Sequence, residues 1–412
     1  MRNKKLLIIG HVWPEPRSSA AGSRMMQLIA AFKKESFEII FASACAKSDN
    51  AFDLSAIGVS QVSIEMNHSS FDDFIVEFQP DVVLFDRFMT EEQFGWRVAE
   101  TCPNALRILD TEDLHSLRKG RQQAFKEQAE FNDAYLFNDF AKREIASIYR
   151  SDLSLIISEV EINLLTDRFK VPNELLFYLP FQCEAISENT IQNLPTFDKR
   201  SHFITVGNFL HEPNYDSVLY LKETIWPLVR QKIPTAELHI YGAYASQKVT
   251  QLHNKLTGFL IKGFAPDVNE VMANSKICLA PLRFGAGIKG KLIDAMLCGT
   301  PSVTTSIGAE AMNGEFPWSG IISDTTTDFS RAAVALYTNP AAWQEAQNKG
   351  QVILQKRFDR DSFSRALIDR LQRVFTELDQ HRLHNFVGTM LQHHQHKSTQ
   401  YMSQWIEAKN KY

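Results

Sequence analysis

Short apolar runs alternate with longer segments of helical spacing along this chain. Lys5–Gly10, Phe37–Ser43, Val62–Met66, Asp81–Asp86, Leu106–Asp110, Leu153–Ser158 and Leu175–Pro180 each read as a strand. Near-continuous apolar runs of this length mark strands covered on both faces. Ser23–Phe32 reads as a helix, and the charged stretch between Asp110 and Asp152 carries helical spacing. Strands alternating with helices imply a parallel sheet sandwiched by helices. The polar, aperiodic stretch Cys183–Ser201 breaks the rhythm and reads as a linker between domains. The alternation then restarts, with strands at His202–Gly207, Glu237–Gly242, Phe259–Phe264, Lys276–Leu282 and Pro301–Ser306. Helices are predicted up to Arg230, over Ser246–Leu256 and from near Gly287 to Leu297. Beyond Arg357 the chain is helical again, and His384–Tyr412 is His-rich and amphipathic. The pattern predicts an α/β protein with doubly wound units over 1–185 and 202–370, a linker over 186–201 and a helical tail over 371–412.

Composition narrows the function classes. The 412 residues carry 44 Lys+Arg against 48 Asp+Glu, a net charge of −4, which excludes a disordered chain and a strongly basic nucleic-acid binder. The 29 Phe read as a Phe-rich core. Cys45, Cys102, Cys183, Cys278 and Cys298 are scattered without a CxxC pair, which argues against a disulfide scaffold or a zinc site and for a reducing compartment. The opening MRNKKLLIIG is basic then apolar, but the apolar run stops at Gly10 without a cleavage site, so it is not read as a signal peptide. No stretch approaches the roughly 18 apolar residues of a membrane span, so the cytoplasm is the expected compartment. His381, His384, His393, His394 and His396 crowd the tail without a recognised ligand spacing, so no metal is expected.

The strongest chemical signal is Ala280–Val303, APLRFGAGIKGKLIDAMLCGTPSV. A strand ends, a turn containing Gly285, Gly287 and Gly290 follows, and a helix starts within it. Glycines let backbone amides approach a ligand closely, and the free amides of a helix start favour anions. Lys289 and Lys291 add positive charge in the same turn. The combination points to phosphate or diphosphate; the alternative is a tight turn with solvated lysines. It is not a Walker A loop, because Leu292 stands where Ser or Thr is required.

With TVGNFLHEPNYDSVLYLKETIWPLV, AELHIYGA, GFAPDVNEVMANSKICLAPLRFGAGIKGKLIDAMLCGTPSV and SIGAEAM in unbroken order, Ile204–Met312 resembles the donor-binding domain of the group 1 glycosyltransferases. These are retaining enzymes of the GT-B fold. The resemblance implies two Rossmann-like domains facing a cleft. It also implies a nucleotide-diphosphate sugar held by the second domain and a saccharide or lipid-linked acceptor held by the first. No tightly bound cofactor or metal is implied, and the last helix would pack back on the first domain. Of the family's two acidic positions eight residues apart, the second, ribose-binding one falls on Asp294 and the first on Ala286. The loop after the first strand of the domain reads Gly207-Asn208-Phe209-Leu210-His211, without the usual Arg and Lys. The lysines of the glycine turn would then neutralise the diphosphate.

Gly242 and Phe264 end the next two strands, where the family holds the base; Phe264 either stacks on it or is a core residue. Donor contacts are thus expected at Gly22, Asn208, Gly242, Phe264, Gly285, Gly287, Ile288, Lys289, Gly290, Lys291 and Asp294. Glu310 either meets ligand or caps a helix. In LDTEDLHSLRKGR, His115 matches the family histidine that faces the donor sugar, and Asp113 accompanies it as the second catalytic candidate; alternatively both cap the following helix. Arg17, Arg24 and Arg118 are the acceptor-side candidates, the alternative for the first two being solvated charge. The leaving diphosphate itself can take the acceptor proton. Three alternatives to a soluble transferase stay open: a non-catalytic scaffold, a nucleotide-sugar epimerase of the same fold, and weak association of the enzyme with the inner face of a membrane, given lipid-linked acceptors.

Overall fold

The computed structural model describes residues 4–185 and 191–411, without the side chains of residues 394–396. Residues 186–190 of the expected linker, the first three residues, and the His394 and His396 side chains lie outside the described set. Two all-parallel sheets organise the chain. The first contains β1 (Lys5–Gly10), β2 (Glu38–Ser43), β3 (Ser60–Ser63), β4 (Val82–Asp86), β5 (Leu106–Asp110), β6 (Leu153–Ile156) and β7 (Leu176–Tyr178), in the order β3-β2-β1-β4-β5-β6-β7. The second contains β8 (Ser201–Val206), β9 (Leu238–Tyr241), β10 (Phe259–Gly263), β11 (Ser275–Ala280), β12 (Ser302–Thr304) and β13 (Gly320–Ile322), in the order β10-β9-β8-β11-β12-β13. Leu6, Leu7, Ile8 and Ile9 of β1 are all fully buried, as a strand sandwiched by helices requires. In both sheets the strand order reverses beside the first strand, between β1 and β4 and between β8 and β11. Crevices at such reversals, outside the carboxyl ends of the strands, are where open α/β sheets bind ligands.

Several predicted elements shift. β3 covers Ser60–Ser63 instead of Val62–Met66, because β2, its pairing partner, ends at Ser43; Ile64 still donates to the Ser43 carbonyl, and beyond it the ladder has no partner. The helix predicted over Ser246–Leu256 is one turn, Gln247–Thr250. Asn254 and Phe259 exchange backbone hydrogen bonds of 2.8 and 3.0 Å around a turn with Gly258 at φ +64°, which ends the helix early. The helix of the first βα unit starts at Ala20, three residues before the expected Ser23, because the Ser19 hydroxyl caps it by accepting from Gly22 N.

The carboxyl-terminal helices lie against the first sheet's side of the molecule. Leu367, Leu371 and Val374 of the helix Arg360–Thr376 join the core cluster of Leu6, Ile8, Leu28 and Phe32. Arg382 pairs with the buried Asp152 at 2.7 Å and also donates to the Ala105 carbonyl. The long helix Phe386–Asn410 packs on the helices Arg87–Thr101 and Asp139–Arg150. The chain crosses from one sheet to the other twice, and the crossings touch. Cys183 bridges Asp359 in parallel, donating to the Phe358 carbonyl at 2.7 Å and accepting from Arg360 N at 2.9 Å.

Candidate active site

A cleft of about 1360 Å³ runs between the two sheets. Its first-domain wall is built from the loops after β1, β4 and β5, and its second-domain wall from the loops after β8, β9, β10 and β11. Both reversal points therefore open onto one space.

The second wall centres on the glycine turn. Gly285 and Gly287 have φ of +155° and +63°, and the helix Gly290–Leu297 begins at the cleft. A Cβ on Gly287 would lie 2.9 Å from Asp113 Cβ, and one on Gly290 2.7 Å from Ala20 Cβ, so glycine permits the two walls to touch. Lys289 is buried; its Nζ donates to the Gly287 carbonyl at 2.7 Å, curling the turn around its own cation. Burial lowers Lys289 to about 8 against the pull of Glu310, and burial likewise lowers Lys291 to about 8. Lys291 Nζ donates to Asn214 Oδ1 at 2.8 Å. Asp294, one helical turn on, lines the cleft, and burial raises it to about 7 against the opposing charge of Lys291. Two cations and a carboxyl thus share this wall, each poorly solvated and ready to gain from a polar partner.

Asn208 lines the cleft beside the turn, fixed by its own Oδ1 accepting from Leu210 N and its carbonyl accepting from Asn214 Nδ2, both at 2.9 Å. Gly242 packs so closely under Gly207 and Phe209 that a Cβ would meet the Gly207 carbonyl at 2.0 Å. Phe264 is 38% exposed and lines the cleft, so it is not a core residue. Ile288 is buried and lines the cleft.

Across the cleft, His115 Nδ1 lies 3.5 Å from Asp113 Oδ1 and 3.4 Å from Glu144 Oε1. Burial raises Asp113, but Arg118 at 3.1 Å and His115 outweigh it and hold the carboxyl below its ordinary range. Neither Asp113 nor His115 caps the helix His115–Lys126. Glu144 does so from a neighbouring helix, accepting from His115 N at 2.6 Å and Ser116 N at 2.8 Å. Gly22 is buried against the Glu15 backbone, where a Cβ would lie 2.4 Å from its carbonyl carbon, and it lines the cleft near Arg17, which is exposed at the rim.

Arg24 corrects an expectation. It is 1% exposed, lies outside the cleft lining, and forms a buried bidentate pair with Asp110 at 2.8–3.2 Å while donating to the Leu179 carbonyl at 2.6 Å. It holds the first domain together and cannot meet an acceptor. Arg118 lines the cleft but is engaged by Asp113 and by His211 Nε2 at 3.2 Å, the latter a neutral acceptor because burial and Arg118 lower it to about 4.

Several bonds across the cleft escaped the sequence pattern. Glu310 takes a bidentate pair from Arg121 at 2.6 and 2.8 Å, and Arg121 also donates to the Gly285 carbonyl at 2.9 Å. Glu310 therefore joins the domains in place of capping a helix. Tyr244 donates to the Glu15 carboxylate at 2.8–2.9 Å, and Lys119 pairs with Glu212 at 2.6 Å. Glu161 Oε1 accepts from Leu114 N at 3.1 Å and from Gly287 N at 2.8 Å. Among the described residues, no cluster of His, Cys, Asp and Glu fits a metal ion, and no helix is long and apolar enough to cross a membrane.

Residues 200–339, which carry the glycine turn, Lys291 and Asp294, match the family model described as glycosyl transferases group 1. Over this stretch the second domain is similar to the group 1 glycosyltransferases. Solved glycosyltransferase structures resemble the whole chain. Sucrose-phosphate synthase from Thermosynechococcus elongatus aligns over 91% of this chain and 100% of its own, with 13% identity and a TM-score of 0.65. HepE from Anabaena, whose structure holds UDP and glucose, aligns over 90% of this chain and 100% of its own, with 13% identity and a TM-score of 0.67. WaaG, a glycosyltransferase involved in lipopolysaccharide biosynthesis, aligns over 88% of this chain and 98% of its own, with 12% identity and a TM-score of 0.61. At these identities the likeness concerns the fold, the GT-B arrangement of two doubly wound domains. Among curated protein sequences there is no significant match.

Proposed function

We propose that this glycosyltransferase takes a sugar, with retention, from a nucleotide-diphosphate donor to a saccharide or lipid-linked acceptor in polysaccharide or glycoconjugate assembly. The observation that carries the reading is the glycine turn. Two lysines and the amides of a helix start meet at the cleft, directly against Asp113 of the opposite wall. In this reading Lys289, Lys291 and the amides of the helix start at Gly290 hold the diphosphate, with Gly285 and Gly287 shaping the turn. Asp294 accepts the ribose hydroxyls, Asn208, Gly242 and Phe264 border the base, and Gly22 lets the β1 loop approach the phosphates. His115 faces the donor sugar, with Asp113 beside it, and Arg17 and Arg118 border the acceptor.

The new bond forms between the acceptor oxygen and the anomeric carbon as the anomeric carbon–diphosphate bond breaks. The leaving diphosphate oxygen accepts the acceptor proton, so preorganised cations do most of the work. The contacts across the cleft exclude water from the donor. The enzyme acts in the cytoplasm, where the acceptor side can approach the inner face of a membrane.

Ala286 supports a second reading, a nucleotide-binding protein without transfer, since it packs on the first domain's core in place of an acidic side chain. Thermal shift with UDP, GDP, ADP, CMP and their sugar conjugates tests the first step. A selective ligand at 100 times its dissociation constant stabilises the fold by about 2.7 kcal/mol. A shift with one nucleotide class followed by slow donor turnover supports the enzyme. Binding without turnover supports the second reading, and no shift with any nucleotide sinks both.

A further inference from the structure

The first-domain wall contains a carboxyl group that no role described so far uses. Glu112 lines the cleft two residues beyond β5, at φ +62°. Arg87, the residue after β4, lines it too, at φ +70°. β4 and β5 are neighbours in the sheet, so two non-glycine residues in the left-handed region stand at adjacent strand ends. Such conformations cost free energy and gather where a site over-determines the backbone.

Charge accounting singles out Glu112. Three arginines at this sheet edge each face an aspartate: Arg24 with Asp110 at 2.8 Å, Arg87 with Asp86 at 3.7 Å and Arg118 with Asp113 at 3.1 Å. Glu112 is the carboxyl left over. Its Oε1 is buried without a hydrogen-bond partner. Burial and the charge of Asp110 raise it to about 8, so at neutral pH it is mostly a neutral acid. A neutral carboxyl offers one donor and one acceptor, the same pair that a sugar hydroxyl needs. Glu112 lines the cleft, so that pair is within reach of a ligand there. Arg87 engages Asp86 only at ion-pair distance, which leaves guanidinium N–H groups for a second hydroxyl. Glu112 also adjoins Asp113, whose Cβ abuts the glycine turn, so a ligand here lies beside the donor.

We infer that Glu112 and Arg87 form a hydroxyl-binding subsite for a neutral saccharide acceptor, an assignment that rests on the glycosyl-transfer reading. Glu112 binds and orients the acceptor; it does not take its proton, which leaves with the diphosphate. An anionic acceptor is disfavoured, because the three arginines at this edge are each already matched by an aspartate and leave no spare cation for it.

Ligand-observed NMR titration of the full chain with methyl glucoside, mannoside, galactoside and N-acetylglucosaminide, each with and without UDP, tests this. Methyl glucuronide serves as the anionic control. At least one neutral glycoside is expected to bind the wild type. Glu112→Ala and Arg87→Met should weaken it about tenfold or more, Glu112→Gln should stay within about threefold, and UDP affinity should stay within about twofold in all three. The assignment is overturned if no neutral glycoside binds, if Glu112→Ala binds like the wild type, if Glu112→Gln loses as much as Glu112→Ala, if UDP affinity falls in parallel, or if the glucuronide binds best. Failure of UDP to bind the wild type, with glycoside binding intact, would instead count against the nucleotide-sugar reading alone.

Discussion

Glu161 of the first domain accepts the backbone N–H of Gly287, in the glycine turn of the second, at 2.8 Å. The same oxygen accepts from Leu114 N, just before the His115 helix, so one buried atom fastens the donor turn to the opposing wall. Burial and the charge of Asp113 raise Glu161 to about 8. The unfolded carboxyl titrates near 4.5. Its contribution is therefore fully present below pH 4.5 and is lost as pH rises through about 8. Thermal midpoints across pH 5–9 should show this decline, and Glu161→Gln should flatten that part of the curve. Glu161→Leu strands two buried N–H groups and should destabilise by about 2–5 kcal/mol. An unaltered pH profile in the Gln variant would refute the clamp.

Lys291 should matter to ligand more than to fold. Lys291→Ala removes a charge-assisted contact worth about 1.5–3 kcal/mol, or about 10–100-fold in nucleotide-diphosphate affinity, with little change in the urea midpoint. Because burial has lowered the lysine to about 8, wild-type affinity should also fall as pH rises through that value and the cation is lost. Calorimetry at pH 7 and pH 9 reads both effects; equal affinity in variant and wild type would remove the diphosphate assignment.

Arg24 is expected to behave in the opposite way. Arg24→Met removes the cation that offsets the burial of Asp110, leaves that carboxyl unpaired in the core and should cost about 3–5 kcal/mol of stability. Urea denaturation checks this. A small loss of stability would mean that the pair is not the structural anchor its burial indicates.

Gly287→Ala tests the contact between the walls. The φ of +63° strains any side chain, and the added methyl would press on Asp113. Each domain should keep its secondary structure while the cleft opens, seen as a larger radius of gyration in solution scattering and a loss of turnover. An unchanged radius with full nucleotide affinity would sink this account.

The strands were legible because most are near-continuous apolar runs. β13 was missed since Gly320–Ile322 is three residues long and pairs only with β12. The donor turn was legible because its glycines, lysines and helix start lie within ten residues. The clamp was not: Glu161 sits in an ordinary helical stretch, 126 residues from Gly287. Arg24 carried an overlooked signal. It stands four residues before Leu28 and eight before Phe32, on the buried face of its helix, where a charge implies a partner inside. The strained pair Arg87 and Glu112 left no mark, because neither residue type announces a left-handed backbone.

The paired crossings at Cys183 and Asp359 have a mechanical consequence. A single covalent strand would let the two lobes twist freely, like a ball joint. Two strands stitched by backbone hydrogen bonds act as a door hung on two pins, with one soft axis along which the lobes swing and stiff resistance to twist. Every opening then returns the glycine turn to the same facing surface. The same arrangement means that a single cut near residue 185 cannot free an intact first lobe, because it would leave behind the helix that completes that lobe's core.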